Sequence, residues 1–242
     1  MINIDLPYYN ARKTDIDMLV FHCQAFDIKE AIDILHQYKL SAHYMIGLDG
    51  KIYKLVNDRY RAWHTKTDAS YWNGAGDINS RSIGIEVCSL SLGQEQYTKK
   101  QINSILRLCK TLTRKYRIKK QNVVGHSDIC PNRKPDPGKC FPWHYLARHG
   151  VGFWYDIKDA KKVEEADESK MLSEIGYNAE DLMAAKWAFC KRFMPEIIPS
   201  YDIKCLIDKP VPENADIFIK NTNFADVLRA VYYRYTKNNN IM

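Results

Sequence analysis

Two strand-length runs, MLVFHC at 18–23 and SIGIEVC at 82–88, are apolar almost without interruption. Strands covered on both faces read this way, whereas a half-exposed strand alternates apolar with polar residues. A helical pattern follows each run. Ile28, Ala31, Ile32, Leu35 and Tyr38 sit at helical spacing within 28–40, and Ile102, Ile105, Leu106, Cys109, Leu112 and Tyr116 form a second stripe. Thr98 can cap the second helix, with Gln101 placed to complete a capping box. Residues 43–47 and 51–56 flank Asp49-Gly50, a pair that accepts positive φ, and so predict a hairpin. Residues 122–125 predict a short strand leading into His126. The segment 57–81 has no sustained period and predicts a long irregular stretch; the Pro- and Gly-rich residues 126–142 predict a loop. Strands alternating with helices predict an α/β fold, a mixed central β-sheet flanked by helices.

The composition changes after residue 155. Residues 156–170 are nearly all charged or alanine and read as a solvated helix or linker. Beyond them Leu182, Ala185, Phe189 and Phe193 line one helix, and Phe224, Val227, Leu228, Val231, Tyr232 and Tyr235 line another. The expected organisation is a first domain at 1–155, a charged linker at 156–169 and a small all-α domain at 170–242. A length of 242 residues accommodates one medium domain with such an appendage.

No apolar run approaches the roughly eighteen residues that cross a bilayer, so no membrane span is expected. The first ten residues lack the basic and apolar regions of a secretory signal, which favours a cytoplasmic protein, with a periplasmic location or non-classical export as the alternative. Seven scattered cysteines suggest reduced thiols, Cys130 and Cys140 being the one pair placed to meet. The net charge of +7 suits an anionic polymer, but no nucleic-acid-binding motif accompanies it and no nucleic acid partner is expected.

Four residues are informative as a set. His22 ends an apolar strand, and taken alone it fits a hydrogen-bonded core histidine as well as a ligand. His126 follows a short strand, and Asp136 lies between two prolines in GHSDICPNRKPDPG. Two imidazoles and one carboxylate make a catalytic-type zinc set that leaves the fourth position open for water. A hydrolase then needs a proton acceptor, and Glu86 is the candidate, since a carboxylate inside SIGIEVC is costly to bury without a partner or a task. An ion pair with a lysine is the other account of Glu86. Lys134 could act as a fixed positive charge against a developing oxyanion.

The chain resembles the type 2 N-acetylmuramoyl-L-alanine amidase family, which includes phage amidase-type lysozymes and animal peptidoglycan recognition proteins. The carrying segments are FHCQAF at 21–26, SAHYMIGLDGKIYKLV at 41–56, AWH at 62–64, WNGAGDINSRSIGIE at 72–86 and VGHSDICPNRKPDPG at 124–138. The last is similar to the zinc-and-lysine loop of the anhydromuramyl-peptide amidase branch. That resemblance implies Zn2+ held by His22, His126 and Asp136, with Glu86 and Lys134 catalytic. It implies hydrolysis of the amide between N-acetylmuramic acid, including its 1,6-anhydro form, and L-alanine, on peptidoglycan or soluble muropeptides. A non-catalytic peptidoglycan-recognition protein is the alternative, although such relatives typically lack a complete metal set. Asp136 stands where recognition proteins and phage enzymes usually carry cysteine. Tyr44 matches a tyrosine that assists catalysis in the phage branch, and His43, Trp63, His64, Trp72 and Asn73 are candidate substrate contacts. Residues 172–196 resemble a three-helix peptidoglycan-binding module, or else form a helical appendage. Monomer and homodimer both stay open.

Overall fold

A computed structural model describes residues 1–164 and 166–239. Its strands are β1 (Ile2–Asn3), β2 (Tyr9–Ala11), β3 (Met18–Gln24), β4 (Tyr44–Ile46), β5 (Ile52–Lys54), β6 (Tyr60–Ala62), β7 (Ser82–Cys88) and β8 (Val123–Gly125). The helices are α1 (Ile28–Gln37), α2 (Ile78–Arg81), α3 (Lys99–Tyr116), α4 (His126–Ile129), α5 (Trp143–Arg148), α6 (Glu168–Ile175), α7 (Leu182–Phe193), α8 (Ile203–Asp208), α9 (Ala215–Lys220) and α10 (Phe224–Asn239). Six strands form one mixed sheet in the order β1-β5-β4-β7-β3-β8, in which β4, β7, β3 and β8 run parallel. The two apolar runs are the central strands β3 and β7, buried along nearly their whole length, as continuous hydrophobicity requires.

Alternation along the strands divides the core. Leu19, Phe21, Ile83, Ile85 and Val87 point to one face and pack with Ile105, Leu108 and Leu112 of α3 and with Trp143 and Leu146 of α5. The opposite face is shared between two covers. At one side Met45 and Cys88 meet Ala31 and Leu35 of α1. At the other, Met18, Val20 and Val124 meet Leu172, Phe189, Leu228 and other residues of the C-terminal helices. The gap between these covers, at the C-terminal ends of the parallel strands, is where open α/β sheets place their ligands.

Thr98 caps α3 as expected: its hydroxyl accepts from the Gln101 N–H at 3.1 Å, and the Gln101 side chain accepts the Thr98 N–H at 3.0 Å. Thr98→Ala should lower the unfolding free energy by about 1 kcal/mol, read as a shift in the urea midpoint at constant slope.

Three expectations need revision. The stretch 57–81 is largely irregular, but β6 pairs antiparallel with β2 and α2 leads directly into β7. His126 opens one turn of helix instead of a loop. The charged segment after 155 is not a solvated linker over its whole length. A 3-10 helix at Ile157–Lys162 packs along α10, burying Asp159 beside Lys162 at 2.6 Å and Arg234. Its one buried charge, Asp159, is paired, which a charge count cannot register.

The expected C-terminal helices are present. Within the segment that resembles the module, Ile175, Tyr177, Arg192 and Phe193 are all buried. All seven cysteines are free, and Cys140 donates its thiol proton to the Gln94 carbonyl at 3.0 Å. No helix among the described residues is long and apolar enough to cross a membrane.

Candidate metal centre and active site

His22 lies near the C-terminal end of β3, in register with Glu86 on the adjacent β7. On its other side β3 pairs with β8, Phe21 opposite Gly125, so the next residue, His126, lands beside His22. Asp136 comes from the loop after α4, tied back by its carbonyl, which accepts the Ser127 N–H at 2.8 Å. Three ligand-type atoms converge: His22 Nδ1 lies 2.9 Å from His126 Nδ1 and 3.5 Å from Asp136 Oδ2, which lies 3.1 Å from His126 Nδ1. Ligands bound to one tetrahedral zinc at ~2.0–2.1 Å stand roughly 3.3–3.4 Å apart, so the observed triangle has the dimensions of one face of such a site. All three residues are buried.

Electrostatics favour the same use. Burial pulls the His126 imidazole down to about 4, leaving it neutral with one nitrogen lone pair available. Burial would raise the Asp136 carboxyl, but the adjoining His126 and His22 outweigh it and hold it well below the usual range. Glu86 is buried with Oε2 lacking any hydrogen-bond partner among the described residues. Burial raises its pKa, opposed by His22 and Lys134. A carboxylate with one free oxygen beside a metal set is placed to exchange protons. Lys134, half buried, borders the same cleft of about 830 Å³ as His22, Glu86, His126 and Asp136.

The other candidates divide. Trp63 and His64 border the cleft. His64 is buried, however, and both its nitrogens are engaged, Nδ1 by His22 at 3.0 Å and Nε2 by Ser82 at 3.1 Å. His43 lies outside the cleft: it is fully buried, accepts the Gly84 N–H at 3.0 Å, and burial lowers its pKa to about 3. Tyr44 pairs with Ile85, so it points to the face opposite Glu86, and its hydroxyl donates to Asp58 at 2.6 Å. Burial would raise the Asp58 carboxyl, yet hydrogen bonds from Tyr44, Tyr116 and Lys115 hold it at about 2. Trp72 is buried edge-on against Tyr177, and Asn73 donates its N–H to the Gly176 carbonyl; both serve the junction with the C-terminal helices.

Several supporting residues carry no recognisable motif. Asp128, buried in α4, accepts from the Gly125 N–H at 2.8 Å, Tyr177 at 2.8 Å and Arg192 at 2.7 Å. Lys191, also on α7, donates to the Pro135 carbonyl at 3.2 Å. The metal loop is therefore gripped from the C-terminal layer. On its far side Gly93, with φ +71°, packs so tightly on Pro137 and Gly138 that a Cβ would lie 2.0 Å from the Pro137 carbonyl oxygen. A glycine pair separated by 45 positions signals nothing until the two loops meet.

A parallel-strand-end site with two imidazoles, a carboxylate converging on them and a second buried carboxylate with one oxygen unpartnered among the described residues has the form of a metal-dependent hydrolase. The chain belongs to the N-acetylmuramoyl-L-alanine amidase family, which it matches over residues 12–139. Among its relatives is the N-acetylmuramoyl-L-alanine amidase AmiD of Escherichia coli K12, 32% identical over 212 residues, covering 75% of this chain and 76% of that protein. The 1,6-anhydro-N-acetylmuramyl-L-alanine amidase AmpD of Haemophilus influenzae is 36% identical over 115 residues, 47% of this chain and 60% of that protein. The crystal structure of AMPDH3 from Pseudomonas aeruginosa superposes with a TM-score of 0.74 at 27% identity, covering 98% of this chain and 100% of the other. Escherichia coli AmiD in complex with anhydro-N-acetylmuramic acid-L-Ala-D-gamma-Glu-L-Lys does so with 0.72 at 26% identity, covering 93% of each chain.

Proposed function

We propose that this protein hydrolyses the amide bond between N-acetylmuramic acid and L-alanine, with zinc held by His22, His126 and Asp136. The observation that carries this reading is the convergence of His22 Nδ1, His126 Nδ1 and Asp136 Oδ2 beside the unpaired Glu86 Oε2. The donor set fits zinc: neutral imidazole nitrogen and carboxylate oxygen, three ligands, with the cleft on the open side. When bound there, zinc polarises the scissile carbonyl and acidifies a water.

The chain's own residues supply the proton traffic. Glu86 takes a proton from the attacking water as its oxygen bonds to the lactyl carbonyl carbon. Lys134 offsets the negative charge that builds on the carbonyl oxygen. As the carbon–nitrogen bond breaks, Glu86 returns its proton to the departing alanine nitrogen, leaving a muramic carboxylate and a free peptide amine. Burial of Glu86 favours the first transfer, because it raises the affinity of the carboxylate for the proton it takes from water.

One relative named an N-acetylmuramoyl-L-alanine amidase and another named a 1,6-anhydro-N-acetylmuramyl-L-alanine amidase support a reading that includes both forms of the sugar. Purified muropeptides and intact sacculi, each treated with and without chelator and read by mass spectrometry, test it. The expected product is stem peptide beginning at L-alanine, lost on chelation and restored by zinc. Binding to sacculi with neither substrate cut would replace the reading with a recognition role.

A further inference from the structure

His22 has two nitrogens, and only a bare Nδ1 can serve as a ligand. What fixes the proton on Nε2 is legible in a chain of hydrogen bonds that starts at Ser82, the first residue of β7. Ser82 donates its single hydroxyl proton to the Ile78 carbonyl at 2.6 Å, since a carbonyl can only accept. Its oxygen can therefore only accept from His64, whose Nε2 lies 3.1 Å away and must carry the ring proton. In a neutral imidazole the other nitrogen, Nδ1, is then an acceptor, and it faces His22 Nε2 at 3.0 Å. His22 must donate there, which leaves its Nδ1 bare and directed at His126 Nδ1 and Asp136 Oδ2. Metal-bound histidines generally depend on such a partner for tautomer and ring orientation.

Two further observations show the relay to be built in. The His64 ring lies so close over β7 that a Cβ at position 84 would stand 2.5 Å from it, which accounts for a glycine inside an otherwise apolar central strand. The backbone carrying the ring is clamped by Asn79, whose side-chain oxygen accepts the N–H groups of His64 at 3.2 Å and Thr65 at 2.9 Å. His126 has no equivalent, its Nε2 being buried without a partner among the described residues.

We infer that His64 and Ser82 are positioning residues that hold His22 in its Nε2–H tautomer and so prepare its Nδ1 for the metal. The inference rests on the metal reading above, and the experiment separates the two. Zinc affinity is measured by competition with a chromophoric chelator for wild type, His64→Phe, His64→Gln and Ser82→Ala. His64→Phe keeps a ring of similar shape without an acceptor and should bind zinc roughly 10–100-fold more weakly. His64→Gln, whose amide oxygen can accept from His22, should recover much of the loss. Long-range nitrogen–proton NMR of the metal-free wild type should show His22 protonated at Nε2, with Nδ1–H gaining population in Ser82→Ala. Wild-type affinity in His64→Phe, or an Nδ1–H tautomer in the metal-free wild type, overturns the relay. If His64→Phe does not fold, the Ser82→Ala spectrum decides in its place. Failure of the wild type itself to bind zinc overturns the metal reading instead, and the spectrum still decides the tautomer.

Discussion

Glu86→Gln should reduce turnover by about 10²–10⁴-fold while leaving zinc content unchanged. Glutamine keeps the volume and removes the proton acceptor, and the three ligand atoms belong to other residues. Folding stability should hold or rise, because the substitution replaces a buried carboxylate with a free oxygen by a neutral group. Assays with a defined muropeptide, metal analysis of the same preparation and a urea melt make the comparison. Turnover near wild type would take Glu86 out of the chemistry. A lost metal would instead mean that Glu86 contributes to the site's assembly.

Arg192→Met should cost about 3–5 kcal/mol of folding stability, the range for removing one partner of a buried ion pair. Arg192 and Asp128 are 4% and 1% exposed, and their contact at 2.7 Å joins α7 to the helical turn carrying His126. Arg192 also donates to the Val123 carbonyl at 2.9 Å and lies over the Trp143 ring at 4.5 Å. In the variant Asp128 keeps Tyr177 and the Gly125 N–H, but its charge has no countercharge in contact. Asp128→Asn in the Arg192→Met background should therefore regain part of the loss, and urea midpoints for the four-member cycle measure the coupling. A single-variant cost below about 1 kcal/mol would mean that solvent reaches the pair.

What was legible in the sequence follows from what is local. The runs at 18–23 and 82–88 became the central strands because continuous hydrophobicity has one stable placement in a sheet. Thr98 and Gln101 are three residues apart, so their capping box is fixed by one turn of helix. His22 and Glu86 stood out because a polar group in such a run conflicts with burial. Tyr44 and His43 were misplaced for a different reason. Register turns Tyr44 away, since Met45 and not Tyr44 is paired with Glu86. His43 shares the Glu86 face but sits farther back along the strand, beside Gly84 and His64 and outside the cleft. Pairing between strands forty residues apart leaves no trace in either strand alone. Trp72 and Asn73 were likewise claimed by the C-terminal helices, a partner distant in the chain. Gly84 did carry a signal, since glycine inside a central strand marks close approach of another group, here His64.

The cleft between the two covers of one sheet face has a geometric consequence. Its lining includes Ile34, Leu35 and Leu40, in and just beyond α1, and Ile203, Ile207 and Pro210, in and just beyond α8, whose Ile203 and Leu206 pack with the α3 and α5 side of the core. The floor is separate from both: His22 and Glu86 belong to β3 and β7, and His126 and Asp136 to the turn and loop after β8, which α7 holds. A vise has this construction: a fixed bed and two jaws mounted separately. Because α8 lines the opening while β3, β8 and α7 hold the ligand residues, width and chemistry rest on different parts of one chain.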